Sequence, residues 1–217
     1  MQRIGMLGGT FDPIHLGHLI PAAYAFNYLS LDRLLLVPAA APVHRPAHMA
    51  APPADRLHMC RLAAAALPGF EASDLEVGRS EPSYTVLTLR DLRDSVGPAA
   101  ELILLVGEDN LSSLHTWRDL DEILRLARVA VLPRPAVGEA DLGPLRSAVG
   151  DDTVDRLIAG MVPAPRVPVK ATDLRRRVAA GEPIAGLLPA SVAAYIAERG
   201  LYRDPQPETP NRRPCCD

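Results

Sequence analysis

IGMLGGTFDPIHLGH, residues 4–18, decides the fold. The run from Gln2 to Leu7 is short and apolar and stops at Gly8-Gly9, as a buried strand does on entering a tight turn. From Leu16 to Leu29 the apolar residues recur at helical intervals. Strand, glycine turn and helix in that order open a βαβ unit. Glycines at 8 and 9 let the backbone approach a ligand closely, and N–H groups at a helix start favour an anion. Thr10 adds a hydroxyl donor. His15 and His18 lie three residues apart near the first helical turn, so both rings can face one spot. Donors gathered there suit phosphate oxygens, above all where negative charge grows during displacement at phosphorus.

Outward from this stretch the pattern repeats. Asp32 to Pro38 is a continuous apolar run of strand length, as parallel strands covered on both faces tend to be. Ala39 to Pro53 reads as a loop rich in Ala, Pro and His, and Asp55 to Leu67 as a helix stopped by Pro68-Gly69. Phe70 to Val77 is expected as a third strand, and Ser83 to Val96 as a helix with Ser83 at its N-cap. Glu101 to Gly107 is the strongest strand, Trp117 to Leu126 a helix, and Arg128 to Leu132 a further strand. Asp141 to Ala159 is expected mostly helical, interrupted at Gly143-Pro144 and Gly150, with late helices at Thr172 to Ala180 and Pro189 to Arg199. Alternating strands and helices imply an α/β, doubly wound, mostly parallel sheet with a small helical C-terminal part. Right-handed crossovers then place the loops after each strand along one edge, where such sheets bind ligands.

Bulk properties narrow the function. A length of 217 residues predicts one domain over 1–203, followed by a Pro-rich, polar, disordered tail over 204–217. The formal charge of −3 lacks the basic excess of a nucleic-acid binder, although RRR at 175–177 is a local basic spot. No run approaches the roughly 18 to 20 apolar residues that span a bilayer, and no signal-peptide order opens the chain. Three cysteines, Cys60 with the adjacent Cys215 and Cys216, make no disulfide framework and fit a reducing cytosol. Cytoplasmic location without nucleic-acid or membrane partners is expected; a homo-oligomer is left open. No Cys, Asp or Glu stands at a spacing that would complete a zinc site with the histidines. Neither GxxxxGK[ST] nor GxGxxG occurs.

GGTFDPIHLGH (8–18) resembles the T/HxGH signature of the nucleotidyltransferase superfamily, and the whole string resembles the bacterial nicotinate-nucleotide adenylyltransferases. The resemblance extends over about residues 3 to 203. It implies a Rossmann-like fold and transfer of an adenylyl group from ATP to nicotinate mononucleotide, with Mg²⁺ accompanying the ATP. It gives His15 and His18 the phosphate-contacting roles and places Gly8, Gly9, Thr10 and Phe11 in the ATP turn.

PAAAPVHRP (38–46) is similar to the family loop after the second strand, which makes Arg45 a catalytic cation where many relatives carry Lys. SEPSYTVLTL (80–89) resembles the segment meeting the nicotinate ring, with Tyr84 and Thr85 as contacts. VGEDNLSSLHTW (106–117) is similar to the GxD block and its aromatic: Gly107 for close approach, Asp109 for hydroxyls, Trp117 for the ring face. LPRPAVG (132–138) makes Arg134 a nucleotide contact. VKATDLRRR (169–177) resembles the late phosphate motif. It implies that Thr172 caps a helix facing the ATP phosphates, that Arg175 stands close behind, and that Lys170 replaces the usual Ser. Nicotinamide-nucleotide and pantetheine-phosphate adenylyltransferases are the near rivals, and a non-catalytic nucleotide sensor the distant one. A class I aminoacyl-tRNA synthetase, which shares an HxGH-type motif, would be longer and carry a KMSKS-like loop.

Overall fold

The computed structural model describes residues 1–40, 51–79, 81–135 and 141–203. The elements in chain order are β1 (Arg3–Gly9), α1 (Leu16–Tyr28), β2 (Arg33–Pro38), α2 (Pro53–Ala64), β3 (Phe70–Ala72), α3 (Thr85–Val96) and β4 (Glu101–Gly107). A 3-10 segment (Glu108–Thr116) follows, then α4 (Leu120–Leu126), β5 (Arg128–Leu132), α5 (Gly143–Val149), α6 (Asp151–Ala159), α7 (Ala171–Ala179) and α8 (Ala190–Arg199). The strands form one sheet in the order β3-β2-β1-β4-β5, every pairing parallel.

The continuous apolar runs have a simple cause: successive side chains point to opposite faces, and helices cover both. Leu7, Leu34, Leu36, Ile103, Leu105, Ala130 and Leu132 face one layer, where Leu19 and Ala22 of α1, Met59 and Cys60 of α2, Leu174 of α7 and Val192 of α8 meet them. Ile4, Met6, Leu35, Val37, Leu102, Leu104 and Val131 face the other, against Val86 and Leu89 of α3, Ile123 of α4, Leu145 of α5 and Val154 of α6. The Cys60 thiol belongs to the first layer, and burial pushes its pKa up to about 12, so it is an inert core group. Among the described residues no helix is long and apolar enough to cross a membrane.

Several boundaries differ from the sequence reading. β3 ends at Ala72, because 75–78 turn inward so that the buried Glu76 accepts the Thr88 hydroxyl at 2.7 Å. α3 starts at Thr85, with Tyr84 at its N-cap. Ser83 does not cap it; its hydroxyl accepts the Ala40 N–H at 2.9 Å. The stretch expected as one helix from Trp117 starts only at Leu120, since Asp119 takes a left-handed φ of 53°. Gly150, at φ 81°, splits α5 from α6 as expected, whereas Gly143-Pro144 opens α5 and does not interrupt a helix. α7 begins at Ala171 with Lys170 at the N-cap position, so Thr172 lies inside the first turn and is not the cap. The tail 204–217, with Cys215 and Cys216, lies outside the described residues.

Candidate active site

β1 is the strand at which the sheet order reverses: β2 lies on one side and β4 on the other. The crevice beyond its carboxyl end is where open α/β sheets bind ligands. Gly8 is exposed there, and a Cβ on it would meet nothing nearer than the Met6 methyl at 3.8 Å. Its openness leaves the backbone accessible from outside. Phe11 turns the chain at φ 48°, a left-handed conformation costly for a side chain of its size, and its ring is buried. The Asp12-Pro13 peptide that follows is cis.

His15 sits at the N-cap of α1 and His18 one turn on. Their rings stack with centroids 3.8 Å apart, and the Phe11 ring meets His18 edge-on at 5.2 Å. The His15 backbone N–H donates to His18 Nδ1 at 3.4 Å. With Nδ1 accepting, a neutral His18 carries its proton on Nε2. His15 is 2% exposed; burial, and then the Arg134 charge, lower its pKa to about 3. It is therefore a neutral imidazole throughout the physiological range. A histidine that cannot protonate when folded leaves the unfolded chain as the better proton binder between pH 6.5 and 3, so stability falls as pH drops through that window. Replacing it with Gln should remove about 2 kcal/mol of the stability lost between pH 6.5 and pH 5, read from urea melts of both proteins.

Gly17 explains the spacing of the pair. A Cβ there would stand 2.7 Å from the Val169 carbonyl oxygen and 2.9 Å from the His15 ring. The start of α1 thus presses directly on the residue preceding Lys170, and through this contact the late helix α7 reaches the first turn. Arg175 completes the junction: its Nη1 donates to the Asp12 carbonyl at 2.7 Å, with the Asp12 carboxylate at 3.7 Å. Lys170 and Thr172 are exposed at the N-terminus of α7. Gly17→Ala should destabilise the fold by about 1–3 kcal/mol, because the obstruction is backbone and cannot rotate away. It should also lower turnover by tilting the His15 ring; a melt and a rate assay on the same sample check both.

The GxD block arrives beside this turn. A Cβ on Gly107 would stand 2.4 Å from Asp109 Oδ1 and 3.1 Å from Arg134 Nε, so glycine lets both groups pack over the strand end. Asp109 is exposed and forms a 3.5 Å ion pair with Arg134. Arg134 Nη1 donates to the Gly17 carbonyl at 2.9 Å. Glu108 accepts the Arg134 backbone N–H at 2.9 Å and pairs with Arg166 at 2.6 Å. Arg134 therefore spends much of its guanidinium on the histidine turn. Elsewhere, Trp117, His115, Leu120, Glu122 and Arg125 line an open cavity of roughly 410 Å³ that includes none of the histidine-turn residues. Tyr84 has the guanidinium of Arg118, the residue after Trp117, 5.0 Å from its ring centre. Thr85 begins α3 beside it. Arg45 lies outside the described residues.

The sequence has counterparts among known proteins. Residues 6–177 match the cytidylyltransferase-like family model. A nicotinate-nucleotide adenylyltransferase by name from Roseiflexus sp. (strain RS-1) is 46% identical over 201 residues, covering 92% of this chain and 98% of its own. One from Chromobacterium violaceum is 41% identical over 209 residues, covering 93% and 99%. The chain belongs to the nicotinate-nucleotide adenylyltransferase family. The fold agrees: Plasmodium falciparum nicotinic acid mononucleotide adenylyltransferase, solved with APC and with NaAD, superposes with a TM-score of 0.70 at 15% identity over 93% of this chain and 98% of its own.

Behind the turn of this adenylyltransferase lies a buried network that the motif reading did not single out. Arg56 of α2 is 1% exposed and donates from Nη1 to the Thr10 carbonyl at 2.7 Å, from Nε to Ala51 at 3.0 Å and from Nη2 to Ala40 at 3.1 Å. Asp12, also buried, accepts the Ala51 N–H at 2.9 Å and the Tyr202 hydroxyl at 2.7 Å. Burial, reinforced by the Asp12 charge, raises the Tyr202 pKa, keeping its hydroxyl a donor. A signal for Arg56 was legible: with Met59, Cys60 and Ala63 it falls at i, i+3, i+4 and i+7, a charge on the buried stripe of a helix.

Proposed function

We propose that the protein transfers an adenylyl group from ATP to nicotinate mononucleotide, giving deamido-NAD and pyrophosphate in NAD biosynthesis. A 5′-phosphate oxygen of the mononucleotide attacks the α-phosphorus of ATP; the new P–O bond forms as the bond to the bridging oxygen breaks, and that oxygen leaves with pyrophosphate. The attacking phosphate is already anionic, so no nucleophilic side chain is required. Catalysis is positioning plus charge stabilisation.

The observation that carries this reading is the stacked pair His15 and His18 at the start of α1, with the N-terminus of α7 brought against the same turn. In our assignment the two imidazoles donate to phosphate oxygens, and the backbone of Gly8, Gly9, Thr10 and Phe11 lies along the triphosphate. Lys170, Thr172 and Arg175 serve the same anion, Arg45 is assigned to it as a further cation, and Tyr84, Thr85 and Trp117 take the pyridine nucleotide. Gly107, Asp109 and Arg134 serve the nucleotide beside the histidine turn, Arg134 partly by fixing Gly17. Residues 1–203 then act as one nucleotidyltransferase domain, working in the cytoplasm on freely diffusing nucleotides.

A divalent cation accompanies ATP in nucleotidyltransferases, and we take it to be Mg²⁺. Among the described residues no group of three or more His, Cys, Asp or Glu could hold a metal ion, and no protein ligand is assigned to it. The deciding experiment supplies ATP with nicotinate mononucleotide, nicotinamide mononucleotide or phosphopantetheine in turn and follows pyrophosphate. Release is expected fastest with the first. Release with none would leave a nucleotide sensor, and release led by another acceptor would move the chain to that activity.

A further inference from the structure

We infer that Arg56 and Asp12 form a buried positioning pair for adenylyl transfer, holding the phosphate turn, both residues flanking 41–50, and Arg175 in one fixed relation. The inference rests on the proposed activity but concerns residues that never touch substrate.

A guanidinium is a poor way to fill the inner face of a helix, because desolvating it is costly and an apolar side chain would pack there without that penalty. Its particular capacity is a rigid planar fork. Here that fork reaches three carbonyls from separate parts of the chain: Thr10 in the first turn, Ala40 at the end of β2, and Ala51 before α2. Asp12 does the complementary work with acceptors. Its carboxylate takes the Ala51 N–H and the Tyr202 hydroxyl, and its carbonyl takes Arg175. Ala51 is thus gripped at both its N–H and its C=O. Ala40 is gripped likewise, since its N–H goes to Ser83 at the head of the segment assigned to the pyridine nucleotide. Asp12 is flanked by Phe11 at φ 48°, and its partner Tyr202 sits at φ 63°. Two non-glycine residues in left-handed backbone persist only where their surroundings over-determine them.

Arg56→Lys keeps the charge and loses the three-way fork. It should lower kcat for pyrophosphate release by about tenfold to a hundredfold, the scale for misplacing a reacting group by a fraction of an ångström to one ångström. The Kd of a non-hydrolysable ATP analogue should rise several-fold, with both proteins shown folded at the assay temperature. A side chain that only stabilises the fold would lower the melting temperature and leave kcat and analogue affinity unchanged in folded protein; that result overturns the proposal. Should Arg56→Lys fail to fold, Tyr202→Phe decides, since it deletes one donor to Asp12 and no packing volume. Its kcat should fall about threefold or more, the range for one lost hydrogen bond, and wild-type kcat and affinity would overturn the proposal. If the wild-type protein releases no pyrophosphate with any acceptor, the functional reading fails instead, and the analogue affinities still judge this pair.

Discussion

His18→Ala is expected to lower kcat by about a hundredfold or more while leaving the affinity for nicotinate mononucleotide near its wild-type value. The size follows from the loss of one donor aimed at charge that develops only in the transition state. His18 suits that task because its Nδ1 is engaged by the His15 backbone N–H, which leaves Nε2 to carry the proton. Its ring is held from two sides, stacked on His15 and met edge-on by Phe11, so the donor is positioned before substrate arrives. Because the rings support one another, a thermal melt must accompany the rate measurement. A folded variant that turns over at the wild-type rate would remove His18 from the chemistry.

Trp117→Ala should act on the other substrate. Deleting an aromatic face on which a flat heterocycle stacks costs about 1–3 kcal/mol, so the Kd for nicotinate mononucleotide should rise roughly 5- to 150-fold. ATP affinity should change far less, because the contacts assigned to ATP lie at the start of α1 and of α7, whereas Trp117 closes the 3-10 segment after β4. Calorimetric titration of each nucleotide separately gives the comparison. Equal losses for both would contradict the division of the cleft into two subsites.

The two variants also mark how differently their residues could be read. GGTFDPIHLGH is contiguous, and local geometry alone places two histidines a turn apart behind a glycine bend. The expectation that they converge needed no partner segment. Trp117 carried meaning only through the block it sits in, and the expected helix from that residue gave way to a 3-10 segment and a left-handed Asp119. Likewise the resemblance made Thr172 a helix cap, yet the backbone puts the cap two residues earlier, at Lys170. Ser83 offered the same capping chemistry and spent it on Ala40, a residue 43 positions away.

By itself the sequence determined the alternation of strands and helices, the parallel doubly wound sheet and the glycine turn that leads into the paired histidines. Apolar periodicity, glycine placement and helix starts are local properties, set within a few residues by backbone sterics and side-chain spacing. Only the tertiary structure decided where buried charge goes. It gave Arg56 three carbonyls, Asp12 a tyrosine 190 positions away and Arg175 a place against the first turn. Those partners are distant along the chain, and a polar group taken out of water must find whichever donors or acceptors the packed layers bring within reach.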